Sequence, residues 1–289
     1  MSTRRDFLRQ SSLLSAALFI PAESWFAVQK KIGLQLFTLR NEMSKDARGT
    51  LAKVAAQGYK MVETFGYNQG KWFGLTGPEL LATLKGHGLT TPSGHTMLAS
   101  TFLQSGWEDS WKACVHDSKA IGQEYVVIPW MEEQYRNKAD NYKKIADGLN
   151  KAGEICKRTG IKLAYHNHDF EFATVDGETG FDIYIKRTDP KLVSLELDIY
   201  WATKAGKDPI ALFKKYPGRF PLWHVKDMDN TPKQFFTEVG NGIINYKKIF
   251  DYAAESGMKY FFVEQDQCPG DPLESTAKSI AYLKKNIVK

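Results

Sequence analysis

Cysteine is scarce. Cys114, Cys156 and Cys268 are the three in 289 residues, and their spacing matches neither a zinc knuckle nor a redox dithiol. In an exported protein the odd number leaves at least one thiol free or paired between chains. Cys114 and Cys156 fall in helix-like segments and read as small apolar packing residues. Long apolar runs are missing too: none reaches the about 18 residues that argue for a spanning helix. Charge of one sign is not concentrated. The net charge is +6, with Lys and Arg dispersed among acids, which reads as a solvated surface rather than a nucleic-acid groove. No Gly-rich phosphate loop follows the first apolar strand, which counts against an open dinucleotide-binding sheet. Histidine numbers six, and two of the six stand two residues apart in "IKLAYHNHDFEF" (161–172).

The first 27 residues are expected to be a separate unit. Arg4-Arg5 is followed by Asp6-Phe7-Leu8, a short apolar run from Leu13 to Ile20, and then Ala27. That order is expected of a cleaved export signal of the twin-arginine type, placing the mature chain in the periplasm with no stable membrane anchor. Residues 28–289 then form a single catalytic domain.

From residue 32 one unit recurs. A short apolar strand is followed by a polar loop, a helical stretch and a turn. The strands are expected at 32–38, 61–66, 90–96, 125–130, 162–168, 192–201, 221–227 and 260–266. Helices are expected at 46–57, 77–87, 107–121, 138–159, 180–188, 208–216, 245–256 and 274–286. Gly58, Gly88, Gly122, Gly160 and Gly257 stand at or near helix ends, where a left-handed residue stops a helix. Strands alternating with helices argue for a parallel sheet covered by helices. Eight such units predict an α/β fold, a single (β/α)8 TIM barrel.

In such a barrel the chemistry lies at the C-terminal strand ends. Glu63, His95, His166, His168, Asp198, His224, Lys226, Glu264 and Asp266 all fall there. Alternation puts His166 and His168 on one face, and His224 and Lys226 on one face. Burying so many ionisable groups together without a cation costs several kcal/mol each, on the order usual for buried charges. Imidazole plus carboxylate suits Mn, Zn, Fe or Co. Asp198, His224 and Glu264 supply three ligands of one site, and His166 is the best-placed fourth.

The segments "VETFG", "SGHT", "LAYHNHDFEF", "LELDIYWATKAGKDP", "RFPLWHVKDMD", "EVGNGIINY" and "FVEQDQ" resemble the xylose-isomerase-like barrel proteins. That group contains sugar phosphate isomerases and epimerases and inosose dehydratase. The resemblance runs from residue 32 to about 286. It implies one Mn-type divalent ion held between strands 5 and 8, with Asp198, His224 and Glu264 on family ligand positions. His166 falls where the epimerases carry a glutamate. Their scheme uses two glutamates on opposite faces of the substrate, and here only Glu264 remains. The His-x-His of strand 5 resembles the inosose dehydratase side, which eliminates water next to a ketone.

The expected chemistry is proton abstraction α to a carbonyl. Glu264 is expected as metal ligand and base, His168 as second acid/base, and Lys226 as the cation facing a developing oxyanion. Glu63 and His95 are expected to hold sugar hydroxyls, Trp130 and Trp201 to stack on a sugar face, and Glu238 of "EVGNG" to contact substrate. Export argues against a phosphorylated substrate and for a free sugar, keto-sugar, inosose or glycoside derivative. Two other readings compete: a non-catalytic periplasmic sugar-binding protein and, ranked last, a metal-dependent endonuclease.

Overall fold

Eight short strands pair in parallel and close on themselves. They are β1 (Gly33–Gln35), β2 (Met61–Thr64), β3 (Thr90–His95), β4 (Tyr125–Ile128), β5 (Lys162–His166), β6 (Val193–Asp198), β7 (Leu222–Val225) and β8 (Tyr260–Val263). The order around the barrel is the order in sequence, with β8 pairing back onto β1 through Gly33 and Phe262. The computed structural model describes residues 31–288, so the export signal expected over 1–27 lies outside the described residues.

Eight main helices cover the strands: α1 (Ala47–Gln57), α2 (Gly77–Gly86), α3 (Glu108–Ala120), α4 (Ala139–Thr159), α5 (Gly180–Arg187), α6 (Pro209–Lys215), α7 (Tyr246–Phe250) and α8 (Pro272–Asn286). Local chemistry sets their ends. Asp208 and Asp271 cap α6 and α8 through backbone N–H groups of Ile210 and Leu273, each followed by a proline at the first helical position, where no N–H partner is lost. Gly160 ends α4 at φ 72°, a left-handed conformation that costs other residues about 1 kcal/mol.

Two expectations shift. The strand predicted over 192–201 stops at Asp198, because Asp198 Oδ1 accepts the Trp201 N–H at 2.9 Å and caps a short helix, Ile199–Lys204. The helix predicted over 245–256 divides into α7 and Ala253–Ser256, and Gly257 then lies against Gly218 so closely that a Cβ would meet its Cα at 2.9 Å.

The barrel interior holds Met61, Tyr125, Val127, Ala164, Leu222 and Phe262. A larger apolar layer lies between strands and helices, and includes Trp111, Trp223 and Phe213. The three cysteines are free, with Cys114 and Cys156 fully buried. Burial pushes the Cys114 thiol up to about 12, so it is an inert core group. Among the described residues no helix is long and apolar enough to cross a membrane.

Candidate active site

Strands β5 to β8 deliver a cluster of ionisable side chains to one end of the barrel. In "HNHDFEF" two polar side chains fix the backbone. Asn167 Oδ1 accepts the Asp198 N–H at 3.1 Å and ties β5 to β6. Glu171 is fully buried, and its carboxylate accepts the His168 N–H and the Tyr165 hydroxyl, both at 2.7 Å. Burial pushes Glu171 up to about 7. The turn after β5 is thus pinned from below, and it holds the His168 ring over the barrel mouth.

His166 and His224 are each held from behind by a carboxylate. His166 Nδ1 lies 3.0 Å from Glu196 Oε2, and His224 Nε2 lies 2.6 Å from Glu63 Oε2. Glu63 in turn accepts from Gln35 Nε2 at 2.7 Å and Ser93 Oγ at 2.5 Å. The opposite ring nitrogens face Asp198: His166 Nε2 is 3.6 Å and His224 Nδ1 is 3.9 Å from Asp198 Oδ2. His224 Nδ1 also meets Glu264 Oε2 at 2.7 Å. Carboxylates bonded to the outer nitrogen are how proteins orient metal-binding imidazoles.

Lys226 stands in the same cluster. Its Nζ is 2.8 Å from Asp198 Oδ2, 2.6 Å from Glu264 Oε2 and 2.5 Å from Asp266 Oδ1. Among these only the Asp266 contact has hydrogen-bond alignment. Burial opposes the charge on Lys226, yet Asp198, Asp266 and Glu264 together hold it well above its ordinary value. Burial opposes the charge on Glu264 as well, and Lys226 and His224 outweigh it, so its carboxyl lies well below the usual range. His168 differs: burial and the nearby Lys226 push it well below its ordinary value. Its ring has no hydrogen-bond partner among the described residues, and Nδ1 is buried without one.

The donor set fits a divalent cation. Asp198 Oδ2 is buried and accepts no aligned hydrogen bond. Asp198, His224 and Glu264 bring ligand atoms within 4.8 Å of one another, and His166 Nε2 adds a fourth donor beside Asp198. Imidazole and carboxylate together suit a transition-metal ion better than calcium.

Above the cluster opens a cavity of about 510 Å³. His95, His166, His168, Lys226, Glu264, Trp130 and Trp201 line it. Two expected contacts are not brought there. Glu63 is fully buried beneath His224, where it serves that imidazole rather than a sugar hydroxyl. Glu238 turns to α8, with Oε1 accepting from Ser275 Oγ at 3.1 Å and Lys278 Nζ at 3.4 Å. Its loop is drawn aside because Asp227 accepts the N–H groups of Gly240, Gly242 and Ile244. His95 reaches the cavity edge, but its Nε2 is bound to Glu196 at 2.8 Å. Glu196 escaped the sequence reading, although it stands two residues before Asp198 on β6 and so shares its face.

This architecture has known counterparts. Residues 51–286 match the xylose isomerase-like TIM barrel family. The chain belongs to that family. The inosose dehydratase of Clostridium tetani (strain Massachusetts / E88) is 29% identical over 176 residues, which cover 54% of this chain and 58% of that protein. The chain therefore spans little more than half the length of the curated relatives it matches. A solved structure from Parabacteroides distasonis ATCC 8503, described as a sugar phosphate isomerase/epimerase, is similar throughout. Its TM-score is 0.78 at 28% identity, covering 90% of this chain and 95% of that one. An L-ribulose 3-epimerase shares the fold at 13% identity, with a TM-score of 0.67, covering 89% of this chain and 94% of its own.

Proposed function

We propose that this member of the xylose isomerase-like family is a divalent-metal-dependent enzyme that removes a proton α to a carbonyl. Its substrate is a non-phosphorylated sugar, keto-sugar or inosose, and loss of water is the favoured outcome. The observation that carries this reading is a His168 ring without a hydrogen-bond partner, beside a four-residue donor set at the floor of one cavity. His166, Asp198, His224 and Glu264 would hold the metal, with Mn the preferred ion. Bound there, the ion would supply Lewis-acid polarisation of the carbonyl and stabilisation of the negative charge that forms on it. On the reading of residues 1–27 as an export signal, the enzyme works in the periplasm. The likeness to inosose dehydratases supports elimination.

The protein side chains then divide the work. Glu264 does not serve as the base expected of it, because its Oε2 is engaged by both His224 and Lys226, whereas the His168 ring has no partner. His168 takes the proton as the C–H bond breaks. The imidazolium formed returns that proton to the departing hydroxyl as the C–O bond breaks, and water leaves. Lys226 supplies a fixed positive charge near the developing oxyanion. Asp266 holds Lys226 through Oδ1 and the Trp201 indole through Oδ2, the latter at 3.2 Å.

Incubating the Mn-loaded protein with keto-sugars and inososes in deuterium oxide tests this reading. Deuterium in recovered substrate or product, or a dehydrated product by mass, is expected. Isomerisation with no solvent deuterium would mean hydride transfer and would overturn it. His168→Gln should lower exchange by about 10²–10⁴-fold, the usual worth of a general base, with metal content unchanged. Glu196→Gln should weaken Mn binding by about 10–100-fold, as loss of an outer-shell partner does. Calorimetry checks this; equal affinity would remove Glu196 from the metal argument.

A further inference from the structure

The cavity is divided between two halves of the barrel. The polar and ionisable side chains come mainly from the β5–β8 side, His166, His168, Lys226, Glu264 and Asp266, with His95 of β3 at the edge. The β1–β4 side contributes an apolar arc of Phe37, Phe65, Leu98, Pro129 and Trp130, which follow β1, β2, β3 and β4 in turn. Phe37, Leu98 and Trp130 are 38%, 41% and 38% exposed, and with Ile243 they are the exposed large apolar side chains of the described residues. Three of those four thus gather on one wall, whereas scattered single residues need no explanation.

The arc is braced. Phe37 and Phe65 meet edge to face at 5.4 Å, and Phe65 meets Phe73 at 5.0 Å. Trp130 packs edge-on against His168 at 4.6 Å, and the Arg136 guanidinium lies 4.2 Å from its ring. Rigid aromatic surface of this kind binds apolar rings without paying much ordering entropy. An anionic group finds no free cation: three carboxylates already surround Lys226, His95 is held by Glu196, and the Arg40 and Arg136 guanidinium groups lie against the Phe37 and Trp130 rings.

Resting on the function proposed above, the geometry points to a substrate with two unlike ends. A carbonyl-bearing sugar ring lies over β5–β8, and an apolar ring-shaped substituent, such as the aryl group of a glycoside, lies on the arc of Phe37, Phe65, Leu98 and Trp130. The substrate class is an aryl-type glycoside rather than a bare or phosphorylated sugar. The arc is continuous with the polar floor of one cavity, which favours a single amphipathic ligand over a protein partner.

Methyl and phenyl glycosides of glucose, galactose, mannose and xylose, each oxidised to a ring ketone and used in matched pairs, test the proposal on the Mn-loaded full chain. Calorimetry or fluorescence of Trp130 and Trp201 reads the binding. The phenyl member of at least one pair should bind about tenfold or more tightly, as burial of an apolar ring provides. Leu98→Ser, a change at an exposed position, should bring the phenyl-to-methyl ratio toward one. Equal binding within every pair, or binding of none, overturns the subsite. A dimer that Leu98→Ser dissociates, with no phenyl preference, would assign the arc to a second copy and also overturn it. Deuterium exchange separates the two proposals: exchange without phenyl preference removes the subsite alone, and phenyl preference without exchange on any sugar removes the reaction alone.

Discussion

Lys226→Met should destabilise the metal-free protein by about 3–5 kcal/mol, the cost of leaving buried charges without their partner. The ammonium lies within 2.8 Å of carboxylate oxygens from Asp198, Glu264 and Asp266. Methionine fills similar space but neutralises none of them. The same substitution should make stability strongly dependent on metal. A cation at 100 times its dissociation constant adds about 2.7 kcal/mol to any protein that binds it only when folded. In the variant it also becomes the sole divalent or ammonium charge between Asp198 and Glu264, so its dissociation constant should fall. Denaturant unfolding with chelator and with Mn measures both effects. Equal stability of variant and wild type in chelator would show that the three carboxylates are not balanced by Lys226.

The barrel itself was legible in the chain. Each strand begins within one residue of its expected start, because a fully buried parallel strand is a continuous apolar run. The ends were overshot. His168, Lys226, Glu264 and Asp266 were read as strand residues, but the ladders stop at His166, Val225 and Val263. These side chains reach the cavity because their backbone has left the sheet and turns over its edge. Asp198 ended its strand earlier than expected for a different reason. The same carboxyl that serves the site also caps a helix, and residue-by-residue pattern does not reveal two uses of one group.

The site was legible in its inner donors and less so in what surrounds them. Asp198, His224 and Glu264 could be aligned because they stand at matching places on consecutive strands. Glu63 was placed on the substrate for the same positional reason, yet depth within the barrel decides its role, and Gln35, Ser93 and His224 enclose it. Glu196 was one alternation away from Asp198 and needed only the period of two. The apolar arc had no polar signal at all. Phe37, Phe65 and Leu98 carry no charge and no ligand atom, and only the closure of the barrel shows that they line a cavity.

Asp198→Ala should abolish bound Mn, and with it deuterium exchange, since the central ligand and its charge both go. Comparison with Asp198→Asn separates the two jobs of this residue. Asparagine retains an oxygen that can accept the Trp201 N–H, so the Ile199–Lys204 helix keeps its cap. Alanine loses the cap, which costs about 1 kcal/mol. Both variants remove the carboxylate that Lys226 and the metal share, so both should lose metal. Alanine alone should also disturb Trp201, whose indole donates to Asp266. Metal analysis after dialysis, unfolding curves and the Trp emission of each variant give the three readouts. A full equivalent of Mn retained by Asp198→Ala would remove Asp198 from the ligand set and move the site toward His95, His166, Glu196 and His224, whose ligand atoms also lie within 4.8 Å of one another.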